Sequence, residues 1–285
     1  MVEDLPGLWY NGTQSVRCGQ EGTIMGHDKE KRLPGTARED ETADFGFQKV
    51  PVQEKVRRVR EHFDTVARKY DMMNTLLSFG IHYLWKRTAL RLLGLKPGDR
   101  VVDVCGGTGD LSILALRKVG PSGQVVLYDI NRTMMVTGRG KSTNAGARHR
   151  IQYVQGDAES IAFGSNRFDA AMVGFGVRNL THMEEGLREM HRVLKPGGRI
   201  MCLEFSKPVS PLFRRLYDLY SFTIMPVIGL LFVGSRKAYT YLPESIRLFP
   251  SPEELAGLMR EIGFSEVTYR RVSNGIAVVH VGVKA

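Results

Sequence analysis

Residues 100–110, R-V-V-D-V-C-G-G-T-G-D, constrain the fold more than any other stretch, because an apolar run passes straight into a turn holding three glycines. Such a run reads as a strand buried on both faces, and the glycines let backbone approach a ligand closely. Roughly twenty residues on, a second apolar run ends in Asp129, the spacing at which an acid meets ribose hydroxyls. Strand, turn, helix, strand and acid together form the first half of a nucleotide-binding α/β sheet.

Gly107 and Gly109 open the dinucleotide pattern G-x-G-x-x-G, but Ser112 stands where the third glycine belongs. Asp103, at the end of the first strand, repels a pyrophosphate and attracts an ammonium group, directly or through water. Gly156, Asp157 and Ala158 follow the third strand, where a carboxylate can accept from an adenine amino group; Asp157 reads as readily as an N-cap for the next short helix. Acids at three successive strand ends, Asp103, Asp129 and Asp157, favour S-adenosylmethionine over a nicotinamide dinucleotide.

Around this turn the apolar pattern predicts strands at 100–104, 124–130, 151–155, 168–175 and 199–205, with helices near 110–119, 131–138 and 183–194. The alternation implies an α/β fold, a Rossmann-like sheet that is mostly parallel and takes ligands at the carboxyl ends of its strands. A helix starting S-P-E-E at Ser251, then strands near 266–271 and 276–283 joined through Ser273, Asn274 and Gly275, predict a closing antiparallel hairpin. The expected organisation is a poorly ordered tail at 1–44 and a single domain at 45–285. Within that domain lie a helical cap (45–95), a cofactor-binding core (96–205), a lid insertion (206–250) and the final helix and hairpin (251–285). In the cap, Val52, Val56, Val59, Phe63 and Val66 recur at helical spacing. The aromatic-rich stretch after them reads as core packing, or as a pocket in which Tyr70, Asp71 and Asn74 face a ligand while Leu76, Leu77, Phe79 and Trp85 form an apolar wall.

The formal charge of +10 is spread along the chain without the aromatic platforms of a single-strand binder, which argues against nucleic acid and for a solvated or membrane-facing surface. Cys18, Cys105 and Cys202 lack C-x-x-C spacing, so neither disulfides nor a metal site is expected. No run reaches the roughly eighteen apolar residues of a spanning helix. The stretch 222–233, interrupted by Pro226 and Gly229, is expected to lie in an interface or line a pocket. Residues 1–44 suit neither a signal peptide nor a mitochondrial presequence, which predicts a bacterial cytoplasm.

The chain resembles the ubiquinone/menaquinone biosynthesis C-methyltransferase family, class I methyltransferases acting on polyprenylated quinol precursors, over nearly everything from Phe45 to Lys284. The matching stretches in the cap are F-G-F at Phe45, K-Y-D-M-M-N at Lys69 and S-F-G-I-H at Ser78. The core supplies G-G-T-G-D at Gly106, D-I-N at Asp129, G-D-A-E at Gly156, F-G-V-R-N at Phe175, H-R-V-L-K-P-G-G-R at His191 and L-E-F-S-K-P at Leu203. The lid supplies Y-D-L-Y-S-F at Tyr217. The resemblance implies that Thr108, Asp129, Asp157 and Ala158 contact S-adenosylmethionine beside the turn glycines Gly107 and Gly109. The residue before Phe175, commonly Ser or Ala in the family, is Gly174 here, so a side-chain contact is lost; Cys105 fills a place usually held by a small residue. Arg178, Asn179 and Tyr70 correspond to the family's catalytic group.

Methylation of an aromatic carbon requires an adjacent hydroxyl to be deprotonated, so the implied acceptor is a reduced quinol. It is demethylmenaquinol, 2-methoxy-6-polyprenyl-1,4-benzoquinol, or both. Arg178 cannot ordinarily act as a base and is expected to stabilise the phenolate or orient a water that takes the proton. It also reads as one half of an ion pair with Glu204 or Asp71 that ties the cap down. The histidines read as packed or capping residues, with His182, nearest to Arg178 in sequence, the reserve base. Expected partners are the quinol, a peripheral membrane surface at the inner membrane, and a second copy or a quinone-biosynthesis complex. A methyltransferase on another small aromatic or lipid acceptor, a nicotinamide enzyme and a non-catalytic scaffold are the rival readings.

Overall fold

In the computed structural model of the chain, residues 41–144, 147 and 150–285 are described; most of the expected tail and Cys18 lie outside them. The first elements are strands that begin inside the expected tail and run into the expected helical cap (45–95). Thr42–Phe45 (β1) and Gln48–Pro51 (β2) form an antiparallel hairpin in which Phe45 and Val50 are buried. Pro51, with its fixed φ, ends the strand and leads into the helix Val52–Val66 (α1). Tyr70–Leu77 (α2) and His82–Leu93 (α3) complete the N-terminal layer, and Gly94 terminates α3 in the left-handed region.

The central elements follow the predicted rhythm: Arg100–Val104 (β3), Asp110–Val119 (α4), Gln124–Asp129 (β4), Arg132–Asn144 (α5), Ile151–Gln155 (β5), Phe168–Gly174 (β6), Met183–Val193 (α6) and Leu194–Phe205 (β7). Two differences stand out. Helix α5 runs well past Gly138, a poor helix former, because a Cβ there would come within 2.7 Å of the Thr108 carbonyl; glycine lets the helix press against the turn. The K-P-G-G segment, which precedes the strand predicted at 199–205, is a bulge within β7, whose pairing with β6 shifts register between Phe168 and Ala170.

After β7 come Pro211–Leu219 (α7), Met225–Val233 (α8), Arg236–Leu248 (α9), Pro252–Ile262 (α10), Phe264–Val272 (β8) and Ala277–Lys284 (β9). The sheet order is β5-β4-β3-β6-β7-β9-β8, with β9 antiparallel to both neighbours and the other pairs parallel. Its middle strands are apolar on both faces because helices cover both: Leu127, Met172 and Met201 pack on one side, Val102, Val173 and Cys202 on the other.

The expectation of no spanning-length segment is overturned. A single-turn π-helix at Tyr220–Ile224 joins α7 to α8, and the continuous helix Pro211–Val233 has 23 residues with a mean hydropathy of 1.7 over its most apolar window. By length and composition it can cross a membrane. Pro226 does not break it, because the wider π turn just before accommodates the missing N–H and the ring. One face, with Ser221, Met225, Pro226 and Gly229, is docked on the protein. The other leaves Leu212 70%, Leu216 57%, Leu219 61% and Leu231 74% exposed.

Candidate active site

The glycine-rich turn works through its backbone. Cys105, Gly107 and Gly109 have φ of +54°, +54° and +79°, the left-handed region that glycine adopts freely. This curls the chain so that the Gly107 N–H donates to Asp129 Oδ2 (2.8 Å), while the Asn131 N–H donates to Oδ1 (2.7 Å). Burial pushes the Asp129 carboxyl up to about 6. Beneath the turn Asp103 has no exposed surface; its Oδ2 accepts from Ser112 Oγ (2.6 Å) and its Oδ1 has no partner among the described residues. Ser112, the residue that departs from the dinucleotide pattern, therefore holds this acid. Burial pushes Asp103 up to about 7, so a nearby cation would stabilise its charged form.

A cleft of about 460 Å³, counted to its open mouth, brings Asp129, Asp157 and Ala158 together with Cys105, Asn179 and, from α1, Val56 and Val59. Asp157 lines the cleft and accepts the Glu159 N–H (2.9 Å), but the bond closes a turn, because the short helix expected after Asp157 is not formed there. A Cβ at Gly174 would lie 2.5 Å from Leu111 Cδ1, so Leu111 occupies the space of the missing side chain. Acceptors at the strand ends, apolar walls and an orphaned buried carboxylate oxygen fit a ligand with hydroxyls, an amino group and a cation, and suit a phosphate poorly.

Thr108 faces the other way. Its hydroxyl donates to Asp71 Oδ1 (2.7 Å), and Lys141 Nζ donates to Asp71 Oδ2 (2.8 Å). Lys141 and Lys86 also flank Asp110, which their charges hold below the usual carboxylate range despite its burial. Asp71, expected to face a ligand, is thus a tie between α2 and the turn.

Arg178 and Asn179 lie on a short turn after β6. The Arg178 side chain is 7% exposed; Nη1 donates to Glu204 Oε1 (2.7 Å) and to the Phe175 carbonyl (2.6 Å). The expected ion pair is made with Glu204. The guanidinium carbon lies 5.3 Å from the Phe205 ring centroid, and Nε has no partner among the described residues. Asn179 Nδ2 donates to the Phe175 carbonyl (3.4 Å), and its Oδ1 accepts from the Tyr241 hydroxyl (3.0 Å). Tyr70 packs with Val66, Met73 and Tyr239; burial raises its phenol, and hydrogen bonding to Asn74 and the charge of Arg178 partly offset this.

Two neighbours complete this group: Tyr241, which sequence reasoning missed, and His62, which is packed as the histidines were expected to be. His62, which burial and the Arg178 charge push down to about 4, sits edge-on to Tyr241 at 5.2 Å, and Tyr241 arrives from α9. No local pattern marks either, since both are single side chains on amphipathic helices. His182 is not a free base: Nδ1 contacts Glu159 (2.8 Å) and Nε2 contacts Glu41 (3.2 Å). Glu159, His182 and Glu185 place ligand-type atoms within 4.8 Å of one another, but the backbone N–H groups of Thr181 and His182 already occupy Glu159 Oε1. His280 Nε2 meets the Pro252 carbonyl (3.0 Å), a packed role as expected.

Residues 51–284 match the model of the ubiE/COQ5 methyltransferase family. The protein named ubiquinone/menaquinone biosynthesis C-methyltransferase UbiE in Ectopseudomonas mendocina is 49% identical over 252 residues, covering 88% of this chain and 98% of that one. Its namesake in Pseudomonas putida strain GB-1 is 49% identical over 243 residues, 85% of this chain and 95% of the relative. Among solved structures, an S-adenosylmethionine-dependent methyltransferase of Thermotoga maritima aligns with a TM-score of 0.56 at 20% identity, over 80% of this chain and all of that chain (100%). Phospholethanolamine N-methyltransferase 2 of Haemonchus contortus aligns at 0.58 and 14% identity, over 79% of this chain and 60% of that one. At such identities these two bear on the fold alone, and that fold is the class I methyltransferase sheet. The match over nearly all the described residues and the close full-length relatives lead to one conclusion: the chain belongs to the ubiE/COQ5 methyltransferase family.

Proposed function

We propose that the protein is an S-adenosylmethionine-dependent C-methyltransferase of quinone biosynthesis, acting on the reduced ring of a polyprenylated quinol, demethylmenaquinol or 2-methoxy-6-polyprenyl-1,4-benzoquinol. The cofactor supplies an electrophilic methyl group. Asp129 would hold its ribose, Asp157 and Ala158 its adenine, and Gly107, Thr108, Gly109 and Gly174 the surrounding turn and wall. Asp103, below the turn, would balance its cationic end.

The observation that carries the acceptor side is Arg178: buried, pinned through Nη1 by Glu204 and the Phe175 carbonyl, with an Nε–H left without a partner among the described residues. A fixed, buried guanidinium donor favours a phenolate over a phenol, and a charge-assisted bond of this type is about twice as strong as a neutral one. In this reading Arg178 stabilises the ring oxygen, Glu204 keeps the guanidinium in plane, and Tyr70 and Asn179 orient the ring and a water that accepts the departing ring proton.

The outer face of Pro211–Val233 is assigned to the inner-membrane surface of a bacterium, from which the prenyl tail is drawn. A membrane is preferred to a second copy or a quinone-biosynthesis partner because exposed Arg214, Arg215, Arg236 and Lys237 accompany the apolar stripe and suit an anionic leaflet. The docked face of the helix favours lying in the interface over crossing it.

The test is transfer of labelled methyl to each quinol, reduced in situ. Transfer to at least one is expected. Tight cofactor binding with no transfer to either quinol, and transfer to a soluble catechol, would overturn the substrate.

A further inference from the structure

Tyr241 is 5% exposed and is gripped from three sides. Its ring stacks on Phe45 of β1 at 4.4 Å with 17° between planes, His62 of α1 meets it edge-on, and its hydroxyl donates to Asn179 Oδ1. Glu244, in the next turn of α9, accepts the Phe47 N–H (3.2 Å), so the β1–β2 hairpin clamps the same stretch of helix. Asn179 has little else to hold its amide: the Nδ2 bond to the Phe175 carbonyl is 3.4 Å, near the limit of a hydrogen bond. That carbonyl is aimed by an unusual backbone, since Phe175 has φ +60°, and it is shared with Arg178 Nη1. A flipped amide would set Asn179 Oδ1 against the Phe175 carbonyl, acceptor against acceptor, and would leave the Tyr241 hydroxyl accepting from the NH₂ instead of donating. Burial pushes that phenol up to about 12, so it stays a donor at every physiological pH.

We infer that Tyr241 is a positioning residue for the Arg178–Asn179 pair: its hydroxyl fixes the Asn179 amide, so that docking of α9 and the N-terminal hairpin sets the geometry of the acceptor site. The inference rests on the proposed quinol methylation only through its activity readout. The segment after β7 then does more than cover the acceptor; it completes the polar site from a distance in sequence.

Tyr241→Phe keeps the stack on Phe45 and removes only the hydroxyl. With reduced quinol, kcat is expected to fall about tenfold while KM for quinol and the Kd of S-adenosylmethionine stay within about twofold. In an Asn179→Ala background, which has no oxygen to accept the bond, the same change should cost no more than about twofold. Selective ¹⁵N-asparagine labelling gives an independent readout: the Asn179 side-chain amide signal, identified by its loss in Asn179→Asp, should shift in Tyr241→Phe. An unmoved signal overturns the inference whatever the activity, and so does a wild-type kcat in Tyr241→Phe. If the wild-type protein methylates no quinol, the functional reading falls, while the amide signal still supports or overturns the placement of Tyr241.

Discussion

Asp129 accepts its two backbone N–H groups from within one strand–turn–helix–strand unit, Gly107 before it and Asn131 after it. Arg178 instead meets Glu204 from the next strand, and Asn179 meets Tyr241 from α9, which in turn leans on Phe45 and His62. The carboxylate at the heart of the cofactor wall is thus held by local backbone, although Val56 and Val59 of α1 close the cleft over it. The acceptor wall joins core side chains at the ends of β6 and β7 to others carried in by the N-terminal layer and the insertion, and it is complete only when those are docked. Buried polar groups in the second wall depend on each other, so single changes there should be costly and specific to turnover.

The sharpest way to break this contrast is Arg178→Ala. Turnover should fall at least about a hundredfold, on the scale of losing a preorganised donor, with S-adenosylmethionine affinity within about threefold. Leaving Glu204 buried without its partner should also cost about 3–5 kcal/mol, seen as a lowered Tm. Equal loss of cofactor affinity in a folded variant would show that the two walls are one. Asp129→Ala should do the reverse: a Kd weakened about tenfold to a hundredfold by calorimetry, with kcat at saturation little changed.

The pH behaviour of the cofactor wall comes next. Asp103 is raised to about 7 in the folded protein from an ordinary value near 4, so folding favours its protonated form. Its contribution to stability is present below about pH 4 and is lost as pH rises through about 7. A cationic ligand needs the charged form, so S-adenosylmethionine should bind about tenfold more tightly at pH 8 than at pH 6, with proton release visible in buffers of different ionisation enthalpy. No change would remove Asp103 from the cofactor wall. Asp71→Asn tests the seam between the walls. It weakens the tie to Lys141 and should raise both KM values about fivefold, where a change in one alone would place Asp71 on one side. The smallest effect on chemistry belongs to Leu216→Glu with Leu231→Glu. Flotation with anionic liposomes should drop, while turnover of a short-tailed quinol stays within about twofold.

The same contrast explains what was legible in sequence. The parallel strands, the turn, Ser112 and Asp129 show because each signal is contained in a few neighbouring residues. The β1–β2 hairpin does not, since four-residue strands carry no readable period. Gly138 and Pro226 read as helix stops, yet one answers a close approach by Thr108 and the other is accommodated by the π turn. The ion pair of Arg178 with Glu204 was one of two options, decided by which strand lies next to β6. Tyr241 had no signal, because its role comes from tertiary neighbours alone, and His62 was legible only as a packed histidine.

The π turn at Tyr220–Ile224 also has an evolutionary meaning. It amounts to one residue inserted in a helix that advances about 100° per residue, so it rephases everything after it. Met225 and Gly229 lie against the body of the protein in this phase, and Tyr239 fills the groove at Gly229. Deleting a single codon within 220–224 would restore a plain α-helix and rotate that groove away from Tyr239. Descendants can therefore redirect the outward stripe of this helix by a one-residue indel, a change of address made without touching the sheet or the turn that binds the cofactor.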